Sequence, residues 1–307
     1  MRNGFKTYIF IAMLALCCQA AAAQTALPFI RIDRDPVTSG MAAAGKASLS
    51  SPAWSAFGNS AIIPFAPGKV NAGLSYEAWA PSGAKTSNID AGVSFKAGEK
   101  FGLSLGFASG TGAAFTKTDD SGNISGEFKP KDLIVGAGFG LRFTETIGAG
   151  VNLRYASQSF DSDPYSAFGA DVFVFYHKDA LGVSAGVSSL GTSVKSVSGE
   201  TYSIPASATL AADYSAELAP GNVLEGALDI DYFLAGGLAA ALGAQYSYND
   251  MIFIRAGYHY GGEGSVLPSY ASLGAGFKYK FARLDVAWLT ANEAVGNTLC
   301  VGLGLSF

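Results

Sequence analysis

Apolar residues alternate with small or polar residues along most of this chain, in segments of about ten residues. The segment VNAGLSYEA at 70–78 is typical, because every second residue in it is apolar. Successive side chains of a β-strand point to opposite faces, so this period of two predicts strands with one apolar face. About fourteen such strands are predicted, at 70–78, 88–96, 101–109, 131–144, 146–158, 167–177, 180–188, 203–215, 222–233, 237–248, 251–260, 269–281, 283–290 and 298–307.

The length of these segments suits a membrane. Ten residues in a strand tilted by ~40° cover the ~25 Å height of the apolar band of an outer-membrane barrel. The longest apolar run after residue 24 extends from Phe233 to Ala244, which is too short for a spanning helix. Every backbone polar group must be paired inside hydrocarbon, so strands can span it only as a closed barrel. The sequence therefore predicts an all-β, antiparallel transmembrane barrel of about fourteen strands.

The connections between the predicted strands alternate in length. Minimal turns such as 98–100 alternate with long polar loops such as 110–130 and 189–202, whereas 216–221 and 234–236 break the rule. Bacterial outer-membrane barrels have short periplasmic turns and longer outer loops. We therefore expect a location in the bacterial outer membrane, in contact with its lipid, with both termini on the periplasmic side.

The first residues have the pattern of an export signal. Arg2 and Lys6 precede a short apolar run and a stretch of alanines, which predicts a signal peptide at 1–23 and a mature chain that begins at Gln24. A lipoprotein is a weaker alternative, because Cys17 follows a leucine where lipid attachment requires a small residue.

Residues 24–69 do not alternate and precede the predicted barrel at 70–307. Large apolar side chains such as Phe29, Met41 and Trp54 are too frequent here for a disordered tail. We therefore predict a segment that plugs the lumen, with a disordered tail as the alternative.

Charge indicates what lies inside the barrel and what does not bind it. The chain has a formal net charge of −4, which argues against nucleic acid as a partner. Positions in the inward phase of the strands carry both signs: Arg142, Arg154, Arg255, Lys278 and Lys280 on one side, and Asp171, Asp213, Glu225, Asp229, Asp231 and Asp285 on the other. This near balance predicts pairing within the lumen and with the plug, because a selective ion pore would show one sign.

Motifs that resemble catalytic sites have simpler explanations. GVSAG at 182–186 matches a nucleophile elbow, and the glycines at 136, 138 and 140 imitate a phosphate loop. Both fall inside predicted strands without the helix that each motif needs. His177 and His259 lack the closely spaced partners of a metal site. We therefore predict a protein that is not an enzyme and binds no metal or cofactor.

The chain ends in an alternating apolar strand that includes Leu303, Leu305 and the terminal Phe307. An aromatic C-terminus after such alternation resembles the signal that the barrel-assembly machinery recognises, so that machinery is an expected partner.

The stretch PFIRIDRDPVTSGMAAAGKAS at 28–48 resembles the N-terminal segment of the PorV/PorQ family of Bacteroidetes outer-membrane proteins. Downstream, WSAFGNSAIIPF at 54–65 is similar to an aromatic-N-P-A box of that family, although Ser60 replaces the proline. The predicted plug motif consists of Pro28, Phe29, Ile32, Asp33, Asp35, Gly40, Met41, Gly45 and Asn59.

This resemblance implies a FadL-like barrel of fourteen strands with an N-terminal hatch. It also implies a non-enzymatic subunit of the type IX secretion system, which contacts a large translocon protein or secreted substrates. The alternative is a FadL-like carrier for hydrophobic small molecules such as a fatty-acid-like ligand. A general diffusion porin conflicts with the predicted plug.

Overall fold

A computed structural model describes residues 25–80, 85–119, 121–161, 164–196, 198–291 and 295–307. The predicted signal peptide lies outside these residues. The strands are β1 (Val70–Trp79), β2 (Thr86–Ala97), β3 (Phe101–Gly112), β4 (Phe115–Thr118), β5 (Ile124–Phe128), β6 (Lys131–Arg142), β7 (Ile147–Ser159), β8 (Pro164–Lys178), β9 (Leu181–Gly191), β10 (Ser193–Lys195), β11 (Thr201–Ser203), β12 (Ser207–Ala219), β13 (Asn222–Phe233), β14 (Leu238–Tyr248), β15 (Ile252–Gly261), β16 (Tyr270–Tyr279), β17 (Ala282–Ala291) and β18 (Asn297–Ser306).

Fourteen of these strands form one closed antiparallel barrel, so the predicted fold is confirmed. The strand pairs β4–β5 and β10–β11 are hairpins within two of the long connections. The last strand closes the barrel on the first, with Leu305 opposite Ala72. Phe307 exchanges further backbone hydrogen bonds with Val70 and stacks on Phe281 at a centroid distance of 5.1 Å.

One of the two irregular connections was predicted wrongly. β12 continues to Ala219, so the link at 216–221 is a short turn over Pro220 and Gly221. A β-bulge between Glu217 and Ala219 disturbs the alternation there, which hid the end of the strand from a count of period two. The other irregular connection, at 234–236, is short as predicted. β13 ends at Phe233 and β14 begins at Leu238, and this link lies on the side of the long loops.

The two faces of the barrel wall differ as the alternation predicts. Large apolar side chains point outward and remain exposed, for example Leu74, Leu105 and Leu242. Most inward positions are glycine, small, polar or charged, although a few, such as Ile134, Phe173 and Phe175, are large and apolar, and many inward residues are buried. An apolar exterior around a sheet without free edges is what a bilayer requires.

None of the helices in the described part of the chain is long and apolar enough to cross a membrane.

Residues 25–69 occupy the lumen, and we call this segment the plug. It contains four short helices: Pro28–Arg31, Pro36–Ser39, Pro52–Phe57 and Ser60–Phe65. Proline opens three of them, where its missing N–H costs no helical hydrogen bond. Side chains cap two: Asp35 accepts a hydrogen bond from the Val37 N–H at 3.0 Å, and Asn59 accepts one from the Ala61 N–H at 2.9 Å.

The plug runs through the lumen from one end to the other. The Ala26 N–H donates to the Ser203 carbonyl at 2.9 Å, at the end with the long loops, which we call the loop end. The Lys69 N–H donates to the Phe307 carbonyl at 2.5 Å, at the opposite end, which we call the turn end. The prediction that both termini lie on one side is therefore wrong for the described chain, because the plug threads the barrel before β1 begins.

Candidate functional site

The first half of the plug is bound to the barrel wall by charge. Lys46 Nζ lies 2.7 Å from Asp231 Oδ2, and Arg31 Nη2 lies 3.0 Å from the same atom. The Lys46 backbone N–H donates to Asp229 Oδ2 at 3.1 Å, and Lys46 Nζ lies 3.9 Å from the same oxygen. Asp229 and Asp231, two of the predicted lumen acids, therefore have plug cations as partners. Arg31 also lies over the Phe233 ring at 5.1 Å.

A second ion pair joins the plug to β2. Arg34 Nη1 lies 3.4 Å from Asp90 Oδ1, and Arg34 Nη2 donates to the Phe29 carbonyl at 2.9 Å. Asp90 and the neighbouring Glu77 are almost completely buried, yet neither was among the predicted lumen charges. Both occupy the inward phase of predicted strands, so a complete count of that phase would have found them.

Other predicted lumen charges pair within the wall. Arg154 Nη2 lies 2.5 Å from Asp171 Oδ1, and Arg255 Nη1 lies 2.9 Å from Asp285 Oδ1. The Asp171 carboxylate also accepts the Ser189 N–H at 2.7 Å, at a bulge where β9 slips against β8.

Three cations predicted to lie in the lumen are instead at or near the turns of the turn end. Arg142 donates to the carbonyls of Thr144 and Glu145 in the next turn. Lys278 pairs with Asp250 at 2.5 Å, also at the turn end. Lys280 is exposed in the turn after β16, because the strand ends at Tyr279 and the alternation cannot be extended past it.

Two predicted lumen acids have no cation in the described structure. Glu225 instead accepts hydrogen bonds from Ser48 at 2.5 Å, Ser50 at 2.8 Å and Gln245 at 2.7 Å. Its neighbour Asp213 is buried and leaves Oδ2 without a hydrogen bond. Glu225 therefore anchors the middle of the plug through Ser48 and Ser50 of the plug.

The plug motif residues serve the docking of the plug. Phe29 and Met41 are buried, whereas Ile32 is half-buried and Pro28 is exposed. Asn59 Nδ2 donates to the Lys46 carbonyl and to Ser184 Oγ, both at 2.8 Å.

Two glycines of the motif are required by the close fit. A Cβ atom at Gly40 would lie 3.1 Å from the Cα of Gly274 in β16. Gly45 has a φ of +150°, which strongly favours glycine, and a Cβ there would lie 2.6 Å from a Thr38 methyl group.

The acidic residues of the motif form a tight turn. Asp33 Oδ2 accepts hydrogen bonds from the hydroxyls of Thr38 at 2.6 Å and Ser39 at 3.2 Å. Burial raises the pKa of Asp33. Burial and the nearby Asp33 carboxylate raise the pKa of Asp35 to about 7, although Arg283 and the Val37 N–H oppose this shift.

The second half of the plug fits against glycines of the wall. A Cβ atom at Gly102 would lie 2.6 Å from Ile63, and one at Gly106 would lie 2.7 Å from Phe57. One at Gly138 would overlap Ser60. The glycines at 136, 138 and 140 therefore belong to β6, as predicted, and give room to the plug.

The serine of the elbow-like motif is also structural. Ser184 in β9 is fully buried. Its hydroxyl accepts a hydrogen bond from the Asn59 side-chain amide and donates one to the Lys46 carbonyl. The two histidines stack on aromatic rings: His177 on Phe175 at 5.8 Å and His259 on Tyr270 at 4.9 Å. Among the described residues, no group of three or more His, Cys, Asp and Glu side chains could hold a metal ion.

The described residues of the plug and the wall enclose at least two cavities. The larger, of about 150 Å³, lies toward the loop end, and we call it the loop-side cavity. Its lining has an apolar part, including Ile30, Ile134 and Phe233, and a polar part around the paired Lys46 and Asp231. The smaller, of about 100 Å³, lies near the turn end beside β1, β17 and β18, and we call it the turn-side cavity.

An apolar cluster adjoins the loop-side cavity and shares Ile134 with its lining. It contains residues of the plug, the wall and the loop that carries the β10–β11 hairpin: Leu27, Phe29, Ala108, Ile134, Ala156, Ala167, Val194 and Ile204. Ile204 lies over Gly169 and Gly191, where a Cβ atom would be 3.1 Å and 2.7 Å from its terminal methyl group. Neither the cluster nor the cavities could be predicted, because their plug residues follow no period.

Comparison with solved structures identifies the same architecture. The toluene transporter TbuX of Ralstonia pickettii superposes with a TM-score of 0.64 at 12% identity, over 89% of this chain and 98% of that one. The toluene transporter TodX of Pseudomonas putida superposes with a TM-score of 0.59 at 14% identity, over 87% of this chain and 95% of that one. A FadL homologue of Pseudomonas aeruginosa superposes with a TM-score of 0.53 at 11% identity, over 89% of this chain and 98% of that one.

The fold is therefore a FadL-like barrel, and these neighbours are named as transporters rather than enzymes. No protein-family model and no curated protein matches the sequence. The PorV/PorQ resemblance thus rests on the motif residues alone.

Proposed function

We propose that this protein is a channel of the bacterial outer membrane that takes up small hydrophobic molecules. The observation that carries the proposal is an apolar surface that runs from the outer hairpin to an internal cavity and is closed in this structure by the packing of the cluster residues on one another. Ile134 belongs both to the apolar cluster and to the lining of the loop-side cavity. Ile30 and Phe57 pack against the same cluster and also line the cavity.

Such a surface favours apolar solutes. Burial of apolar area is favourable by roughly 25 cal/mol per Å², so a hydrophobic molecule gains as it moves from water into the cluster. The ion pairs of Arg31 and Lys46 with Asp231 neutralise most of the charge in this part of the lining, although Asp229 Oδ1 has no hydrogen bond there. With its charges largely paired, the polar part of the lining does not demand a charged ligand.

The volume of the cavity favours a compact ligand. A dry apolar cavity of about 150 Å³ in an unrelated protein accommodates benzene. The loop-side cavity has a similar volume, of about 150 Å³. A molecule with a single aromatic ring fits it, whereas the long chain of a fatty-acid-like ligand requires movement of the plug. The structural neighbours TbuX and TodX, which are named toluene transporters, support the same size class.

Toluene binding to the purified protein tests the proposal. Trp54 lines the loop-side cavity, so its fluorescence can report binding in a variant with the other two tryptophans replaced, Trp79→Phe and Trp288→Phe. We expect saturable quenching by toluene and, in proteoliposomes, uptake faster than through lipid alone.

A bulky residue in the cavity provides the critical comparison. Ile134→Trp should abolish toluene binding, because Ile134 is buried and lines the cavity; binding to this variant and its control is measured with radiolabelled toluene, since the added tryptophan would fluoresce itself. Ile89→Trp adds the same bulk on the lipid-facing side of β2, where Ile89 is 55% exposed, and should leave binding intact. Equal binding by both variants, or none by the parent protein, would contradict the proposal. Co-purified fatty acid in its place would point to the longer ligand.

The role in type IX secretion that the PorV/PorQ resemblance implies has less support. The motif residues that carry the resemblance lie mostly inside the lumen, where a partner protein cannot contact them. Loops 110–130 and 189–202 are the remaining surface for a translocon protein or a secreted substrate. A pull-down from native outer membranes that retains such a partner, and loses it on charge reversal in these loops, would favour this role.

A further inference from the structure

The plug separates the two cavities by one thin layer. Four residues line both cavities, and all four belong to the plug: Asp35, Ser50, Ser51 and Trp54. We call this layer the septum. Because these residues contact both cavities, displacement of the septum alone would join the cavities.

The indole of Trp54 is the largest side chain of the septum. It lies on the wall at two glycines of adjacent strands. A Cβ atom at Gly73 would be 2.9 Å from the Trp54 ring, and one at Gly92 would be 3.3 Å from it. The ring is also within 6.2 Å of the Phe57 ring, which belongs to the firmly docked half of the plug. Trp54 is thus held on one side and borders the two cavities on the other.

The remainder of the septum is held by a few polar bonds. Ser50 Oγ donates to Glu225 Oε2 at 2.8 Å, and Arg283 Nη1 donates to the Ser50 carbonyl at 3.2 Å. Glu225 is in β13 and Arg283 is in β17, so this part of the plug bridges distant strands of the wall. Water can replace hydrogen bonds of this kind, so they hold the septum less firmly than close packing would.

We propose that Trp54 is the gate of an axial path from the loop-side cavity to the turn-side cavity, and that its bulk sets the size of what passes. The plug need not leave the barrel for this path to open. The inference rests on the proposed function for its role in transport. The barrier itself can be tested with ions alone.

A series of substitutions at Trp54 measures the barrier. Trp54→Phe should keep most of the barrier, whereas Trp54→Ala should give a steady conductance in planar bilayers that is several-fold above the parent protein. Trp54→Ala should also admit small neutral solutes in liposome-swelling assays. Trp79→Ala is the matched control, because Trp79 is equally buried and lines neither cavity. The folded state of each variant is checked by its heat-modifiable gel band.

The outcomes are separable. If Trp54→Ala folds and its conductance stays at the parent level, or if Trp79→Ala conducts equally well, Trp54 is not the gate. That result leaves toluene binding and its loss in Ile134→Trp untouched. If toluene does not bind but Trp54→Ala conducts, the proposed function fails and the gate remains.

Discussion

The two halves of the plug share one lumen but are held there by different forces. The half from 28 to 50 is bound by ion pairs, among them Lys46 with Asp231 and Arg34 with Asp90, in addition to close contacts of Pro36, Met41 and Ala47 with glycines of the wall. The half from 52 to 65 has few charged contacts and instead fills the space left by glycines of β1, β2, β3, β6 and β7.

This difference indicates which part of the plug can move. Water and other polar groups can replace the hydrogen bonds of Ser48 and Ser50, so a molecule that enters the lumen can displace this end of the first half at modest net cost. Close contact against glycine has no such substitute, because withdrawal leaves an empty space and loses the dispersion contacts. The second half is therefore the fixed part, and Trp54 stands where the two halves meet.

The largest effect should come from filling a glycine position under the fixed half. A Cβ atom at Gly138 would overlap Ser60, Asn152 and Ser104. Overpacking of this kind costs about 3 kcal/mol, the upper end of the usual range. Gly138→Val should therefore expel residues 60–65, make the plug sensitive to protease and give a large conductance.

Gly226→Val is the matched control for this change. Gly226 is exposed on the outer face of β13, and a Cβ atom there meets nothing within 4 Å. The control should keep the plug protected. A protected plug in Gly138→Val would show that close fit does not hold the second half.

A smaller effect is expected from the charged half. Lys46→Met removes one of two cations from Asp231, while Arg31 remains at 3.0 Å. We expect plug docking to weaken by about 1.5 kcal/mol, the low end for a hydrogen bond to a charged group. Denaturant titration followed by Trp54 fluorescence measures this loss. Lys117→Met removes an ion pair with Asp161 in the exposed loops and should leave docking unchanged.

The same comparison explains what the sequence could predict. The wall was predictable because each barrel strand repeats one period over about ten residues, and faults appear where a bulge breaks the period, as at 217–219, or where the strand ends, as before Lys280. Asp229 and Asp231 were predictable as inward residues for the same reason. Their partners Lys46 and Arg31 were not, because the plug has no period and its path depends on the tertiary fit. The septum combines residues 35 and 50–54, and no local pattern joins them.

The smallest effect concerns pH and the septum residue Asp35. Its pKa is raised to about 7, first by burial and then by Asp33, so the docked plug retains a proton that the released plug loses. The docked state binds more protons between about pH 4 and pH 7, and docking must therefore weaken as pH rises through this range.

Docking measured through Trp54 fluorescence should accordingly be weaker at about pH 8 than at about pH 6, and Asp35→Asn should reduce this dependence, because an amide cannot ionise. Asp33 has a raised pKa as well, so part of the dependence should remain in the variant. Asp119→Asn is the control, since Asp119 lies in an exposed loop where hydrogen bonds from Asn123 lower its pKa. A pH dependence that is unchanged in Asp35→Asn, or docking that strengthens as pH rises, would show that Asp35 does not carry a proton in the septum.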